Sequence, residues 1–263
     1  MHDTRATHPV AGLDTPVDAL VTGASSGIGL AVLRQLLANP HVAQVIAVAR
    51  TATVSAALTS LAEHAGERLQ RIDADLADDD DLDRLGAVVR EHTGALHLAI
   101  NAAGMLHASG VQPEKAIEQV SRANLEQVFA LNAFAPILLA KALMPVLGHG
   151  LPAVFASLSA RVGSIGDNRG GGWYAYRASK AAQNQLMKTF SIELARRNRR
   201  ACCLILHPGT VDTPLSAPFQ ARVPAEALFS TERAAAQLLH IIARSTAADT
   251  GRFLAWDGSP VPW

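Results

Sequence analysis

Short apolar runs alternate with longer stretches of helical periodicity along almost the whole chain. Continuous apolar strands separated by helices are typical of a parallel sheet covered on both faces. Right-handed crossovers then produce a doubly wound sheet. We therefore predict a single α/β domain at residues 17–263, with about seven parallel strands and helices on both faces, after a flexible segment at residues 1–16. The predicted strands are 17–21, 42–49, 69–73, 96–101, 153–158, 201–206 and 252–256, and the predicted helices are 28–38, 54–64, 82–92, 114–147, 174–197 and 231–244.

The composition of the chain fits one large domain with no strongly charged partner. Its 263 residues are 49% hydrophobic, which is enough for a single core. Its 23 basic and 23 acidic residues balance, so no overall field favours nucleic acid or an anionic membrane. The start of the chain lacks an apolar stretch, and no apolar run reaches the roughly 20 residues that span a bilayer. We expect a cytoplasmic protein with no nucleic-acid partner and no membrane partner.

The cysteines and histidines give no sign of a disulfide or of a metal centre. The only two cysteines, Cys202 and Cys203, are adjacent, and a bridge between sequence neighbours is strained. We interpret them as reduced thiols in a buried strand. The ten histidines form no H-E-x-x-H motif and no Cys/His cluster, so we expect no metal site.

A glycine-rich turn follows the first predicted strand and opens the first predicted helix. At such a turn, backbone N–H groups and the helix dipole can receive a pyrophosphate, and glycines let the backbone approach closely. The spacing is G-x-x-x-G-x-G, which differs from the G-x-G-x-x-G of the standard dinucleotide fingerprint. The alternative is a purely structural turn. The residues predicted to bind the cofactor here are Gly23, Ser25, Ser26, Gly27, Ile28 and Gly29.

Tyr176 and Lys180 form a candidate acid–base pair. Residues four apart on a helix lie on the same face. A free phenol has a pKa of about 10, and a neighbouring ammonium favours the phenolate and lowers that pKa. The pair could therefore supply a proton donor and acceptor near neutral pH. Tyr174 is the competing phenol, but the residue four positions later is Ala178, so Tyr174 has no lysine on its face.

Three motifs in this order resemble the short-chain dehydrogenase/reductase family, and the resemblance covers nearly the whole chain. They are the glycine-rich turn, the segment Asn101-Ala102-Ala103-Gly104 and the run Tyr174-Ala175-Tyr176-Arg177-Ala178-Ser179-Lys180. The resemblance implies a Rossmann-type domain that transfers a hydride between a nicotinamide and a carbonyl or alcohol, with Tyr176 handling the proton and Lys180 bonding the nicotinamide ribose. Residues 162–180 and 257–263 are similar to the C-factor/sniffer-like carbonyl reductases within that family.

The same resemblance implies further cofactor contacts. Asp75 and Leu76, at the end of the third predicted strand, would border the adenine. Asn101, Ala102, Ala103 and Gly104 end the fourth strand, where small residues permit close approach of the cofactor. Asn101 could instead make a structural hydrogen bond between strand and loop. The segment 207–213 resembles the Pro-Gly segment of the family near the nicotinamide, and the residues implied there are Pro208, Gly209, Val211 and Thr213.

Arg50 ends the second predicted strand, the position that should face the adenosine ribose. An acid there would bond the ribose 2′-hydroxyl and repel a 2′-phosphate, but no acid is nearby. The charge and forked donors of an arginine suit a phosphate. We therefore predict NADP(H) in preference to NAD(H). The alternative is a solvated charge at the end of a strand.

Three serines are candidates for the hydroxyl that polarises the carbonyl oxygen. The position that the family usually gives to this serine holds Gly163 here. Ser157, Ser159 and Ser164 lie nearby, and we favour Ser159 because the run from Ser159 to Gly163 best resembles the serine-to-glycine run of the family. The glycine-rich loop at 167–173 could shape or gate the pocket, or it could be a disordered surface loop.

Asn132 lies inside a long predicted helix, although asparagine is an indifferent helix former. Pro136 has no N–H to bond the carbonyl of Asn132 four residues earlier. That carbonyl is free to hold a water, and the resemblance implies that an asparagine here carries a water linking Lys180 and Tyr176 to solvent. The alternative is a tolerated polar residue beside an ordinary kink.

The sequence thus predicts an NADP(H)-dependent oxidoreductase acting on a small carbonyl or alcohol substrate. Asn132, Ser159, Tyr176 and Lys180 would be its catalytic residues, and Met105, His107, Trp173 and the segment 214–219 would wall the pocket. The alternative is an NADP-binding signalling or scaffold protein of C-factor type with little or no turnover. The resemblance also allows a homodimer or homotetramer through the long helices after the fourth and fifth strands.

Overall fold

The computed structural model describes residues 7–263. Its strands are β1 Val17–Thr22, β2 Val42–Ala49, β3 Leu69–Asp73, β4 Leu98–Asn101, β5 Ala153–Leu158, β6 Ala201–His207, β7 Thr210–Val211, β8 Leu228–Phe229 and β9 Arg252–Ala255. Its helices are α1 Gly27–Ala38, α2 Ala56–Ala65, α3 Asp79–His92, α4 Arg122–Phe129, α5 Ala135–Leu147, α6 Tyr174–Arg197 and α7 Thr231–Arg244.

Seven of the strands form one parallel sheet in the order β3-β2-β1-β4-β5-β6-β9. The order reverses between β1 and β4, because the chain first builds outward from β1 to β3 and then returns to the other side. In open α/β sheets, ligands bind at the carboxyl ends of the strands beside such a reversal. The predicted doubly wound α/β fold is confirmed, and a separate pair, β7 with β8, lies outside the main sheet.

The core has one layer on each face of the sheet, and alternate strand residues supply the two layers. In β5, for example, Val154 and Ala156 belong to one layer and Phe155 to the other. Helices α1, α2 and α7 supply apolar residues to the first layer, and α3, α5 and α6 supply the second. Because both faces are covered, the strands read as continuous apolar runs rather than alternating ones.

The predicted helix at 114–147 is wrong in its start and in its continuity. The helix begins only at Arg122, where the hydroxyl of Ser121 accepts a hydrogen bond of 3.2 Å from the N–H of Asn124 and caps α4. A π-helical turn, Ala130–Phe134, then separates α4 from α5. In that turn the N–H of Ala135 bonds the carbonyl of Ala130, and Pro136 follows without an N–H of its own.

Arg122–Leu147 is also the one stretch among residues 7–263 that is long and apolar enough to cross a bilayer by length and composition. Half of its most apolar window is buried inside the domain, and core helices give the same pattern.

The start of the described chain packs against the domain. Val10 and Leu13 are buried in the first core layer. The carbonyl of Thr7 accepts a hydrogen bond of 2.9 Å from the side chain of Asn39. These contacts tie the described part of the predicted flexible segment to the body of the protein. Residues 1–6, which complete that segment, lie outside the described residues.

Candidate active site

A cavity of about 600 Å³ opens at the carboxyl ends of the central strands. It brings together most of the residues predicted to bind the cofactor or to act in catalysis. Those that line it are Gly23, Ser25, Ser26, Gly27, Ile28, Gly29, Arg50, Asp75, Leu76, Ala102, Ala103, Gly104, Ser159, Tyr176, Lys180, Pro208 and Thr213. Four predicted residues do not line the cavity, although each lies within two positions of a lining residue in the sequence. They are Asn101, Asn132, Gly209 and Val211.

The glycine-rich turn is folded too tightly for a side chain at Gly23 or Gly29. A Cβ on Gly29 would lie 2.3 Å from the carbonyl oxygen of Gly23, and a Cβ on Gly23 would lie 3.0 Å from the backbone of Ala102. Ser26 is the N-cap residue of α1, but its side chain does not cap the helix. The first N–H groups of α1 therefore have no side-chain partner there, and such N–H groups suit an anion.

The cavity wall also carries an exposed cation. Arg50 follows β2 and lines the cavity, and its guanidinium makes no ion pair and no hydrogen bond with the residues from 7 to 263. Asp75 is held in place, because its N–H donates to the carboxylate of Asp81 over 2.7 Å and its own carboxylate accepts from the N–H of Ala77 over 3.0 Å. The buried Leu76 lies beside it.

The side chain of Asn101 makes structural hydrogen bonds, but they join neighbouring strands rather than a strand and a loop. Its side-chain oxygen accepts from the hydroxyl of Thr22 over 2.7 Å, and its amide donates to the hydroxyl of Ser157 over 3.1 Å. Asn101 thus links β1, β4 and β5 beneath the cavity. Gly209 also has a structural reason, because its φ is +81° and a Cβ would meet the ring of Phe229 at 2.7 Å.

Tyr176 and Lys180 both line the cavity from the first turns of α6. The Lys180 ammonium lies 6.0 Å from the centroid of the Tyr176 ring. It donates to the carbonyl of Leu158 over 3.0 Å and to the side-chain oxygen of Gln183 over 2.8 Å. No group in the described chain bonds the Tyr176 phenol oxygen, so that hydroxyl is available to a bound molecule. The competing phenol Tyr174 is 41% exposed and does not line the cavity.

The expected lowering of the Tyr176 pKa by Lys180 is wrong for this structure. Burial raises the pKa of Tyr176 to about 12 and lowers the pKa of Lys180 to about 7. Burial disfavours the charged form of both groups, so Lys180 does not hold its neighbour as a phenolate. The spacing of the pair does not reveal this result, because burial affects both groups more than their proximity does. Tyr176 is therefore a protonated phenol at neutral pH.

The three candidate serines differ in their surroundings. Ser157 is fully buried and bonds Asn101 and Gln183, and the buried Ser164 accepts a bond from the N–H of Asp167. Ser159 alone of the three lines the cavity. Its hydroxyl donates to the side-chain oxygen of Asn184 over 2.6 Å. This geometry favours Ser159 over the other two.

Asn132 lies within the π-helical turn and clamps two other segments together. Its side-chain oxygen accepts from the N–H of Met105 over 2.7 Å, and its amide donates to the carbonyl of Met105 over 2.7 Å and to the hydroxyl of Ser179 over 3.1 Å. The side chain of Asn132 thus joins the loop after β4 to α6. Its predicted role in a water relay through the backbone carbonyl stays a prediction.

The predicted pocket walls are present in part. Met105, His107 and Pro214 line the cavity, and a ring nitrogen of His107 lies 3.2 Å from the carbonyl of Pro214. Trp173 and Phe219 lie behind that lining, with ring centroids 5.0 Å apart.

Trp173 has a left-handed backbone, with φ of +50°, directly before α6. That conformation costs a bulky residue about 1–3 kcal/mol and persists only when neighbours enforce it.

Several polar residues outside the predicted set hold the site together. The buried Glu114 accepts hydrogen bonds from the N–H groups of Trp173 and Ala175, through its carbonyl and its carboxylate, and so holds the start of α6. Gln183 and Asn184 bond Lys180 and Ser159. One signal for these two amides is their position, because they follow Lys180 by about one helical turn and so lie on its face.

Three buried groups predict how stability depends on pH. The pKa of Lys180, about 7, lies below its unfolded value, so between about pH 7 and pH 10 the unfolded chain binds more protons and stability rises with pH. Burial raises the pKa of Tyr176 and that of Cys202 to about 12, so the unfolded chain releases the Cys202 proton from about pH 9 and the Tyr176 proton from about pH 10, and stability falls. We expect the thermal unfolding midpoint to increase from pH 7 to about pH 9 and to decrease above about pH 10. An increase that persists unchanged in a Lys180→Met variant would contradict this assignment.

Known proteins with similar sequences and structures agree on one family. The sequence pattern described as short chain dehydrogenase matches residues 18–223. C-signal of Myxococcus xanthus is 33% identical over 171 residues, which cover 65% of this chain and 95% of that protein. NADPH-bound carbonyl reductase from chicken fatty liver is 28% identical with a TM-score of 0.81, and the carbonyl reductase Sniffer of D. melanogaster is 27% identical with a TM-score of 0.83. Each of the two structures matches 95% of this chain and is itself covered completely. The chain therefore belongs to the short-chain dehydrogenase/reductase family of oxidoreductases, and the resemblance to C-factor and sniffer-like proteins is confirmed.

Proposed function

We propose that this protein is an NADPH-dependent reductase of aldehyde or ketone carbonyls, and that Tyr176 donates the proton. The observation that carries the proposal is the state of the Tyr176 phenol. It is buried in the cavity wall, its pKa of about 12 keeps it protonated, and no described group bonds its oxygen. An unbonded acid beside an anion-binding turn is an arrangement suited to protonating the oxygen of a reduced carbonyl.

The residues of the cavity fit a dinucleotide phosphate. The backbone turn closed around Gly29 and the uncapped start of α1 would hold the pyrophosphate, and Arg50 would hold a 2′-phosphate. Asp75 and Leu76 would border the adenine, while Ala102, Ala103 and Gly104 leave room beside Lys180. When bound, NADPH supplies the hydride that reduces the carbonyl carbon. The carbonyl reductase from chicken fatty liver, which is similar in structure, is described as NADPH-bound and supports the same choice of cofactor.

The proton steps follow from the protonation states of the side chains. Tyr176 gives its phenol proton to the substrate oxygen, which leaves a phenolate that solvent must reprotonate before the next turnover. The charged form of Lys180 favours that phenolate. The Ser159 hydroxyl donates to Asn184 and must rotate from it to the substrate oxygen to polarise the carbonyl. Because burial raises the pKa of Tyr176, its phenol is protonated at neutral pH and is ready to act as the acid in reduction.

Replacing Arg50 with aspartate should reverse the preference for the phosphorylated cofactor. We expect Arg50→Asp to weaken NADPH binding by about 10- to 100-fold, because a charge-assisted hydrogen bond to phosphate is lost and a repulsive charge is added. NADH binding should change by less than about 3-fold. Fluorescence titration of both cofactors measures the ratio. Arg34→Asp is the matched control, since Arg34 is exposed on α1 and does not line the cavity. An unchanged ratio in Arg50→Asp would rule out its role as the phosphate ligand.

The direct test of function is turnover on a panel of carbonyl compounds. Purified protein with NADPH is mixed with aldehydes, ketones and quinones, and the loss of NADPH absorbance is followed. We expect oxidation of NADPH with at least one class, and slower oxidation of NADH with the same compound. Failure of every class, with NADPH tightly bound, would contradict the reductase proposal.

The similarity to C-signal favours a second candidate function, an NADP-binding signalling or scaffold protein. Binding of NADPH without turnover would support it, whereas turnover that depends on Tyr176 would exclude a purely binding role. A cytoplasmic location, the absence of nucleic-acid and membrane partners, and assembly into dimers or tetramers stay predictions. Phe134, in the π-helical turn of the segment predicted for assembly, is 51% exposed.

A further inference from the structure

Gln183 is a fully buried amide whose hydrogen-bonding groups are all engaged. Its NH₂ donates to the hydroxyl of Ser157 over 2.8 Å and to the carbonyl of Leu158 over 3.0 Å. Its oxygen accepts from the ammonium of Lys180 over 2.8 Å. The orientation of the amide follows from this network, because the reverse orientation would turn its NH₂ group toward the ammonium.

The contacts of Gln183 determine where the Lys180 ammonium lies. An ammonium has three donors, and here two of them are held by Leu158 and Gln183. The third remains for the cavity, which Lys180 lines. A Cβ placed on Gly104 in the cavity wall would lie only 3.6 Å from that nitrogen. A lysine side chain has much rotamer entropy to lose, so a fixed second acceptor is what keeps this nitrogen at one position.

We propose that Gln183 is the positioning residue of Lys180, holding the ammonium at the cavity wall so that one N–H stays directed into the cavity. The expected effect of Gln183 on turnover rests on the proposed reductase function, since in that function Lys180 acts on Tyr176 and on the cofactor. The structural claim, that Gln183 anchors and stabilises the charged form of Lys180, can be tested without turnover.

The surroundings of the ammonium make its charge sensitive to a single acceptor. Burial is the sole cause that lowers the pKa of Lys180, and no charged side chain of the described residues contributes to it. Hydrogen bonding to a charged form stabilises that form, so the amide oxygen of Gln183 opposes the effect of burial. The groups packed around Lys180 are Tyr176 on its own helix, Leu158 at the end of β5, Gly104 after β4, Gly163 and Gln183, and of these only Tyr176 titrates.

Two substitutions should move the Lys180 charge in opposite directions. Gln183→Leu removes the acceptor at similar volume, and we expect the pKa of Lys180 to fall by about one unit or more. Gln183→Glu places a carboxylate beside the ammonium, and we expect that pKa to rise by about one unit or more. The matched control is Gln185→Leu, the same change at an exposed glutamine two residues later on α6, which should leave the pKa of Lys180 unchanged.

The readout is NMR titration of protein labelled with ¹³C at the lysine ε-carbon. The chain has only four lysines, Lys115, Lys141, Lys180 and Lys188, and a Lys180→Met variant assigns the signal of interest. With turnover established, kcat of Gln183→Leu should fall about 10-fold, while Gln183→Glu should shift the lysine-dependent limb of the kcat pH profile to higher pH.

A Lys180 titration that is the same in the wild type, Gln183→Leu and Gln183→Glu would overturn the proposal. If Gln183→Leu does not fold, the upward shift in Gln183→Glu decides the question alone. Opposite shifts in a protein that reduces no carbonyl compound would uphold the anchoring of Lys180 and count only against the reductase function. Lower stability in both variants with no shift would mean that Gln183 is a core amide only.

Discussion

Tyr176→Phe should lower kcat/KM for carbonyl reduction by about 10²- to 10⁴-fold, which is the usual contribution of a general acid. The change removes only the hydroxyl. The ring that packs edge-on against Trp173, with centroids 6.2 Å apart, is kept. Because no described group bonds the phenol oxygen, the substitution breaks no hydrogen bond within the described protein. We therefore expect the unfolding midpoint and the Kd for NADPH to change little.

Tyr174→Phe is the matched control for this result. It makes the same chemical change two residues earlier, at a phenol that is exposed and outside the cavity, and should leave turnover within about 2-fold of the wild type. Steady-state loss of NADPH absorbance measures both variants. If Tyr176→Phe keeps more than about a tenth of the wild-type rate, the proton comes from another group.

Gly29→Ala should abolish tight cofactor binding and destabilise the fold. The new methyl group would lie 2.3 Å from the carbonyl oxygen of Gly23 and 2.8 Å from its carbon, and both are backbone atoms that cannot rotate away. The glycine-rich turn must then open, which displaces the N–H groups at the start of α1. We expect the Kd for NADPH to rise at least about 100-fold and stability to fall by about 2–4 kcal/mol.

Gly94→Ala provides the comparison for that substitution. No atom lies within 4 Å of a Cβ on Gly94, and its φ is not positive, so its stability should change by less than about 0.5 kcal/mol. Fluorescence titration with NADPH and thermal unfolding measure both effects. Wild-type affinity in Gly29→Ala would mean that the turn does not hold the pyrophosphate as we propose.

Two helices could be predicted to the residue, and for α7 a local signal marks the start. Helix α6 was predicted as 174–197 and α7 as 231–244, which are their observed bounds. Ser230 caps α7 by accepting a hydrogen bond of 3.1 Å from the N–H of Arg233. In the region of α4 and α5, apolar periodicity overrode the weaker local signals. The cap at Ser121 and the π-helical turn were missed, although Asn132 and Pro136 indicated an irregularity there.

The site was predictable where motifs lie on neighbouring residues and was not where distant segments meet. The glycine-rich turn and Tyr176 with Lys180 are local patterns, and all of them line one cavity. The bonds from Ser159 to Asn184 and from Ala175 to Glu114 join separate segments, and the fold alone decides them. Burial is also a property of the fold, which is why the spacing of Tyr176 and Lys180 led to the wrong direction for the phenol pKa.

The most direct measurement of the central claim follows a labelled hydride. Wild-type protein is incubated with NADPH deuterated at the transferring position and with the best carbonyl substrate of the panel, and the product is examined by mass spectrometry and NMR. The account predicts one deuterium on the former carbonyl carbon for each NADPH oxidised by the wild type. It predicts that this deuterated product is lost in Tyr176→Phe. NADPH that binds tightly but keeps its deuterium with every carbonyl compound would contradict the account and favour a binding protein.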